Sequence, residues 1–261
     1  MLTSNKKIYF ASDLHLTMTP DEASRRREHD FVRWLDTIKK DAAAIFLLGD
    51  LFDFWFEYRH AVPRGFVRLM GKLAEISDNG IPIHFFTGNH DQWMRDYLSK
   101  EMNIHIHHQP AEFVLNGKLF LIGHGHGNDI SPEGRMDKLL CLAFKNRLLR
   151  VLFASLHPRW GIAFGKNWSK NRRKRRGNIR PFYRIETEVI YLYVKKMLAK
   201  KHYDFFVFGH RHLAMDVRLN ENSHYINTGE WIENQTFAVF DGNVVTLQSA
   251  KRETKFLILK D

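Results

Sequence analysis

Five short apolar runs in this chain each stop on polar, metal-capable side chains, and that recurrence constrains the fold more than any other feature. Lys7 to Ser12 stops at Asp13-x-His15, and Ala43 to Leu48 stops at Gly49-Asp50. Ile81 to Thr87 stops at Gly88-Asn89-His90-Asp91. Lys118 to Ile122 stops at Gly123-His124-Gly125-His126, and Tyr203 to Phe208 at Gly209-His210-Arg211-His212. Runs of this length and composition read as buried strands. Between the first three lie stretches with helical spacing. Ser24 to Lys40 carries Phe31, Leu35 and Ile38, and Val62 to Ser77 carries Phe66, Leu69, Met70 and Leu73. Strand–helix–strand alternation predicts an α/β fold with a βαβ sheet flanked by helices. Loops just past strand ends are where such sheets gather ligand groups, because the backbone there is rigid and the side chains are free to converge.

The second half reads differently. Ala111–Leu115 and Lys118–Ile122 flank Asn116-Gly117, a strong hairpin signal. Short strands are expected at Ala214–Leu219, His224–Asn227, Thr236–Phe240, Val244–Ser249 and Lys255–Leu259. Between the fourth and fifth metal-capable segments lies a helix-rich insertion, residues 134–201, inside one domain spanning 1–261. The chain is 44% hydrophobic, enough for a full core. It has one cysteine, so an intrachain disulfide is excluded and a reducing compartment is expected. No apolar run precedes the first strand as a secretory signal would, and none approaches the ~18 residues of a transmembrane helix.

Carboxylate, imidazole and amide oxygen together suit a divalent cation, Mn²⁺ first, with Fe²⁺ or Zn²⁺ as alternatives, and the set contains no soft thiolate. Asp-x-His and Gly-Asp alone are common turns, and Gly-Asn-His-Asp or Gly-His-x-His alone reads either way; five in order at strand ends are not a coincidence. The ordered set resembles the calcineurin-like metallophosphoesterase superfamily over nearly the whole chain. That resemblance implies a β-sandwich of two mixed sheets flanked by helices, with two divalent metals at one edge and the insertion as a helical lid. It implies that Asp13, His15, Asp50 and His212 hold one metal, that Asp50 bridges, and that Asn89, His124 and His210 complete the other. Two such ions about 3.5–4 Å apart share a hydroxide that attacks phosphorus in line. By the same resemblance His90 stabilises the transition state or protonates the leaving group, and Asn89 and His90 contact substrate. Asp91 is expected to orient His90 from behind; it also reads as a helix N-cap before Trp93. His126 reads as a spare ligand, a donor behind the ligands or a substrate contact, with the middle reading preferred. The other histidines (His29, His60, His84, His105, His107, His108, His157, His202 and His224) read as surface or satisfied polar positions.

Charge points to the partner. The chain has 40 basic and 29 acidic residues, a net +11. Residues 134–202 hold 19 of the basic and 3 of the acidic ones, leaving 21 and 26 elsewhere. A mildly acidic body therefore carries one strongly basic segment, which implies an anionic partner. Met136 to Phe153 within it is rich in Leu and Phe with cationic edges, a composition that reads equally as an interfacial helix or as ordinary core packing. Asp50-Leu-Phe-Asp-Phe-Trp-Phe-Glu57, Leu156-His-Pro158, Asn167-Trp-Ser-Lys170 and the tail Asn227-Thr-Gly-Glu-Trp-Ile232 are similar to the bacterial UDP-2,3-diacylglucosamine hydrolase family. Many of its members have Arg in place of His90 and Asp near His126, so the chain reads as a divergent branch.

The resemblance implies cleavage of the pyrophosphate of UDP-2,3-diacylglucosamine to UMP and 2,3-diacylglucosamine 1-phosphate, in lipid A biosynthesis. It implies a cytoplasmic protein peripherally bound to the inner membrane. Lys166, Ser169, Lys170, Arg172 and Arg173 would meet phosphate, ribose or sugar, and Asp53-Phe-Trp-Phe56 would wall an acyl groove. Against such substrate contact, Arg172-Arg-Lys-Arg-Arg176 reads equally as a solvated loop or non-specific attraction to an anionic membrane. Two competing readings remain. One is a nuclease or nucleotide phosphodiesterase of the same superfamily, disfavoured because nothing reads as a nucleic-acid module. The other is a non-catalytic scaffold, disfavoured because every ligand position is filled.

Overall fold

The computed structural model describes residues 6–126, 184–251 and 256–260, with residues 152, 153, 155, 160, 163 and 182. Period-two alternation decides the layers. In β1 (Lys7–Ala11), Ile8 and Phe10 point to one side while Tyr9 and Ala11 point to the other. The strands β2 (Ala42–Leu47), β3 (Ile83–Phe86) and β4 (His105–His107) follow β1 in parallel. Two later strands, β10 (Thr236–Phe240) and β11 (Val245–Ser249), complete a mixed sheet in the order β11-β10-β1-β2-β3-β4. The second sheet is built from β5 (Ala111–Leu115), β6 (Lys118–Ile122), β7 (Phe205–Phe208), β8 (Ala214–Asn220), β9 (Ser223–Thr228) and β12 (Leu257–Lys260). Its order is β12-β8-β9-β7-β6-β5, also mixed.

Ile8, Phe10, Phe46 and Phe86 of the first sheet meet Phe120, Phe205, Val207 and Ile226 of the second, forming the sandwich core. The outer face of the first sheet is covered by α1 (Glu22–Ile38), α2 (Val67–Asp78) and α3 (Tyr97–Met102), which bury Phe31, Leu35, Leu69, Leu73 and Leu98. The outer face of the second is covered by α4 (Val189–Leu198), through Ile190, Tyr191 and Val194. The expected sandwich of two mixed sheets with flanking helices is the observed architecture.

Differences are local and have causes. The helix expected from Val62 begins at Val67, because Gly65 and Phe66 both take left-handed φ, +106° and +58°. The elements α3 and β4 were not expected. The first has six residues, too few to show a helical period, and the second reads His-Ile-His rather than as an apolar run. The hairpin β5–β6 forms as expected, with Asn116 and Gly117 both at positive φ. The expected insertion 134–201 lies mostly outside the described residues. Its last helix, α4, packs on the second sheet as part of the body, because its apolar side matches Phe206, Phe208 and Tyr225.

Candidate metal centre

The strand ends do converge. Past β1 and β2 the ladder continues into the loops: Asp13 N donates to Gly49 O at 3.0 Å and His15 N to Asp50 O at 3.0 Å. These bonds hold backbone that is costly to form. Asp13, His15, Asp50, His210 and His212 all adopt positive φ, between +50° and +69°. Left-handed backbone costs an L residue about 1–2 kcal/mol, and such strain gathers at functional sites. The loops also pack without spare room. A Cβ on Gly88 would stand 2.2 Å from Asp50 Oδ1, so only glycine lets the β3 loop pass the carboxylate.

Three triads result among the described residues, each with its ligand atoms within 4.8 Å of one another: Asp13–His15–His212, Asp50–His124–His210, and His15–Asp53–His90, which shares His15 with the first. In the first, His212 Nε2 lies 3.1 Å and His15 Nε2 3.5 Å from Asp13 Oδ1, and the two imidazole nitrogens are 3.2 Å apart. In the second, His124 Nε2 lies 3.5 Å from Asp50 Oδ2 and 3.1 Å from His210 Nδ1. The distance from His15 Nε2 to Asp50 Oδ2 is 3.6 Å, so Asp50 stands between these two triads. Asp13 Oδ1 is fully buried and faces both imidazole nitrogens. The donor set, buried carboxylates facing imidazole nitrogens with no thiolate, fits a pair of hard-to-borderline divalent cations. Asn89 sits in the β3 loop, half-buried, beside His90.

The electrostatics follow from burial and proximity. Burial alone would raise the Asp13 carboxyl, but the His212 charge and bonds from His15 and His212 hold it well below the ordinary range. At Asp50 burial is likewise outweighed, by His124, His90 and His15. Burial would lower His124, yet the charge and bond of Asp50 lift it to about 10. Burial and the adjacent His124 charge push His210 far down.

Two expectations need correction. Asp91 is not behind the His90 ring, and its carboxylate caps no helix. Its oxygens accept from Leu51 N at 3.0 Å and Gly88 N at 2.6 Å, tying the β2 loop to the β3 loop. Burial and the Asp50 charge push that carboxyl up to about 7. His90 is oriented instead by Asp53: its Nδ1 lies 2.7 Å from Asp53 O, while the Asp53 carboxylate lies 3.2 Å from His15 Nδ1. Asp53 was expected only as part of an acyl-groove wall, and its signal was its place three residues after Asp50. Ser12 was also missed; its Oγ donates to Asp13 Oδ2 at 2.5 Å. The Leu48 carbonyl holds His124 Nδ1 at 2.6 Å.

His126 stacks edgewise on His124, ring centroids 5.3 Å apart, and belongs to no ligand triad among the described residues. Of the aromatics after Asp53, Phe54 and Phe56 join Trp93 in a buried cluster, with Phe153 of the insertion 4.7 Å from Phe56. Trp55 turns the other way and is buried in the core beneath α2. The tail Gly229-Glu230-Trp231 works from behind: Trp231 N donates to Asp13 O at 3.2 Å while its indole packs on Phe31 and Trp34. Lys166, Ser169, Lys170, Arg172 and Arg173 lie outside the described residues. Among the described residues no helix is long and apolar enough to cross a membrane.

Comparison with known proteins accords with this geometry. The chain is 42% identical over 255 residues to the UDP-2,3-diacylglucosamine hydrolase of Porphyromonas gingivalis, covering 93% of this chain and 97% of that one. It is 26% identical over 242 residues to the protein of that name from Shewanella putrefaciens, covering 92% and 95%. A solved phosphoesterase from E. coli, Yfce, is similar at a TM-score of 0.46 and 15% identity, covering 93% and 92%. Residues 6–214 match the calcineurin-like phosphoesterase family, and the chain belongs to it.

Proposed function

We propose that this chain hydrolyses the pyrophosphate of UDP-2,3-diacylglucosamine to UMP and 2,3-diacylglucosamine 1-phosphate. The observation that carries the substrate is the 42% identity to the Porphyromonas gingivalis enzyme over nearly the full length of both. The triads support the chemistry. Asp13, His15 and His212 would hold one divalent cation, and Asp50, His124 and His210, with Asn89, would hold the second, with Asp50 standing between the two groups. Bound there, two such cations, Mn²⁺ by preference, supply an acidified water and neutralise phosphate charge. The protein does the positioning. The Asp53 carbonyl can only accept, so His90 Nδ1 carries the hydrogen and Nε2 is left to meet the phosphate or the leaving oxygen. The loop bonds of Asp91 keep His90 and Asp50 at fixed spacing, and His90 N donates to Asp50 Oδ1 at 2.9 Å.

The buried aromatic cluster of Trp93 with Phe54 and Phe56, which follow Asp53 in the same loop, suits the apolar part of a lipid substrate. The insertion acts as a lid. Its Lys166, Ser169, Lys170, Arg172 and Arg173 supply polar and cationic contacts to the nucleotide-sugar head. Its basic run holds the protein against the anionic inner leaflet. The test is turnover of UDP-2,3-diacylglucosamine with Mn²⁺. UMP release by the wild-type protein and none by Asp50→Ala is the expected result. Robust cleavage of DNA or simple phosphodiesters with no action on the lipid nucleotide would overturn the substrate.

A further inference from the structure

Arg211 stands between two of the histidines that face the cations, and its side chain goes elsewhere. His210 and His212 both hold left-handed backbone, at +69° and +56°. Arg211 instead meets Glu188 in a two-point fork: Nε to Oε2 at 2.7 Å, and a terminal amino group to Oε1 at 2.9 Å. The two side chains are 14% and 11% exposed, so water does not screen the pair. Glu188 is the residue on which α4 begins, and its carbonyl accepts from Leu192 N at 3.0 Å. Through α4 the chain returns from the insertion to the body. The same helix also leans on the other histidine loop. A Cβ on Gly125 would stand 2.7 Å from Ile190 Cδ1, leaving no gap between α4 and the turn after His124. The start of α4 thus backs the loops carrying His124, His210 and His212.

A buried ion pair contributes little stability that apolar packing could not match. What the fork contributes is direction. A planar guanidinium bound at two points fixes the arginine side chain and the backbone that bears it. Rotation of the Arg211 backbone would swing His210 and His212 off their triads.

We propose that Glu188 and Arg211 are a positioning pair that ties the root of the insertion to the His210–His212 loop, so that the centre's affinity for divalent cations depends on where α4 sits. This rests on the metal-site reading given above.

The experiment measures Mn²⁺ affinity by calorimetry on metal-stripped full-length protein: wild type, Glu188→Gln, Arg211→Lys, and the alanine singles and double. The melting temperature of each metal-free protein is taken alongside. Each single variant is expected to bind Mn²⁺ about 10- to 100-fold more weakly, the range for groups that orient ligands from behind. Excess Mn²⁺ restores turnover, because all ligands remain. The alanine double is expected to bind no more weakly than the worse single, since each partner acts through the other. Affinities within about twofold of wild type in every variant, whatever the melting temperatures, would overturn the inference, given the expected size of such effects. Additive losses in the double would overturn it too. A wild-type protein that binds no Mn²⁺ would overturn the metal reading itself, and this inference with it.

Discussion

His90 and Gly88 occupy neighbouring positions in one loop and answer to different physics. His90 is held by a carbonyl and an amide bond, and it belongs to neither proposed cation triad. His90→Ala should lower kcat by about 10²–10⁴, the usual worth of a proton-transferring group. Metal content by mass spectrometry should stay near wild type; a metal-depleted variant would make His90 a ligand instead. Gly88 fails by sterics. Its added Cβ meets Asp50 Oδ1 at 2.2 Å, so Gly88→Ala must displace the carboxylate between the triads. That variant should lose both activity and Mn²⁺ binding, seen by calorimetry, while keeping its circular dichroism. Asp13, His15, Asp50, His124, His210 and His212 were legible because each ends an apolar run. The role of Asp53 in orienting two histidines was not, because it acts by a carbonyl to one and a carboxylate to the other across different loops.

Secondary-structure elements hold the site by ordinary means. Asp21 caps α1, accepting from Ser24 N at 2.8 Å. Asp21→Ala should cost about 1 kcal/mol in urea unfolding, without changing turnover. The parallel strands carry a row of rings in register, Phe10, Phe46, His84 and His105, stacked at centroid spacings of 5.1, 4.6 and 5.0 Å. His84 Nδ1 also meets His107 Nε2 at 3.1 Å. Burial first, then the charges of His107 and His105, lower His84 to about 4. In the unfolded chain imidazole titrates near ~6.5. As pH falls from that value towards about 4, the unfolded state takes up a proton that the folded state refuses, and stability is lost across this window. His84→Phe should therefore lose less melting temperature between pH 7 and pH 5 than wild type, and an equal loss would refute the assignment. Periodicity had revealed the long helices and the hairpin. It missed β4, whose stability comes from pairing with β3 and from ring stacking, which no period records.

For the whole molecule, charge is divided by region. Residues 134–202 are strongly basic and the rest of the chain is slightly acidic. Neutralising Arg172, Arg173, Arg175 and Arg176 to Gln should weaken binding to anionic vesicles, each charge being worth about 1 kcal/mol at such a surface. The difference from wild type should shrink as salt rises and the Debye length shortens. Vesicle sedimentation that does not distinguish the two proteins would remove the membrane role.

The sequence alone determined which strand ends carry carboxylates and imidazoles, and the layering. A strand's two-residue period and the abrupt stop of each apolar run are local properties, written residue by residue. Tertiary structure decided how those ends are used. It placed Asp50 between two triads and turned Asp91 from the His90 ring to the loop amides. It made α4 a layer of the body, and it joined Glu188 to Arg211 across 23 positions of sequence. These depend on which loops face one another once two sheets close over a shared core, and closure is set by burial summed over the whole chain rather than by any single segment.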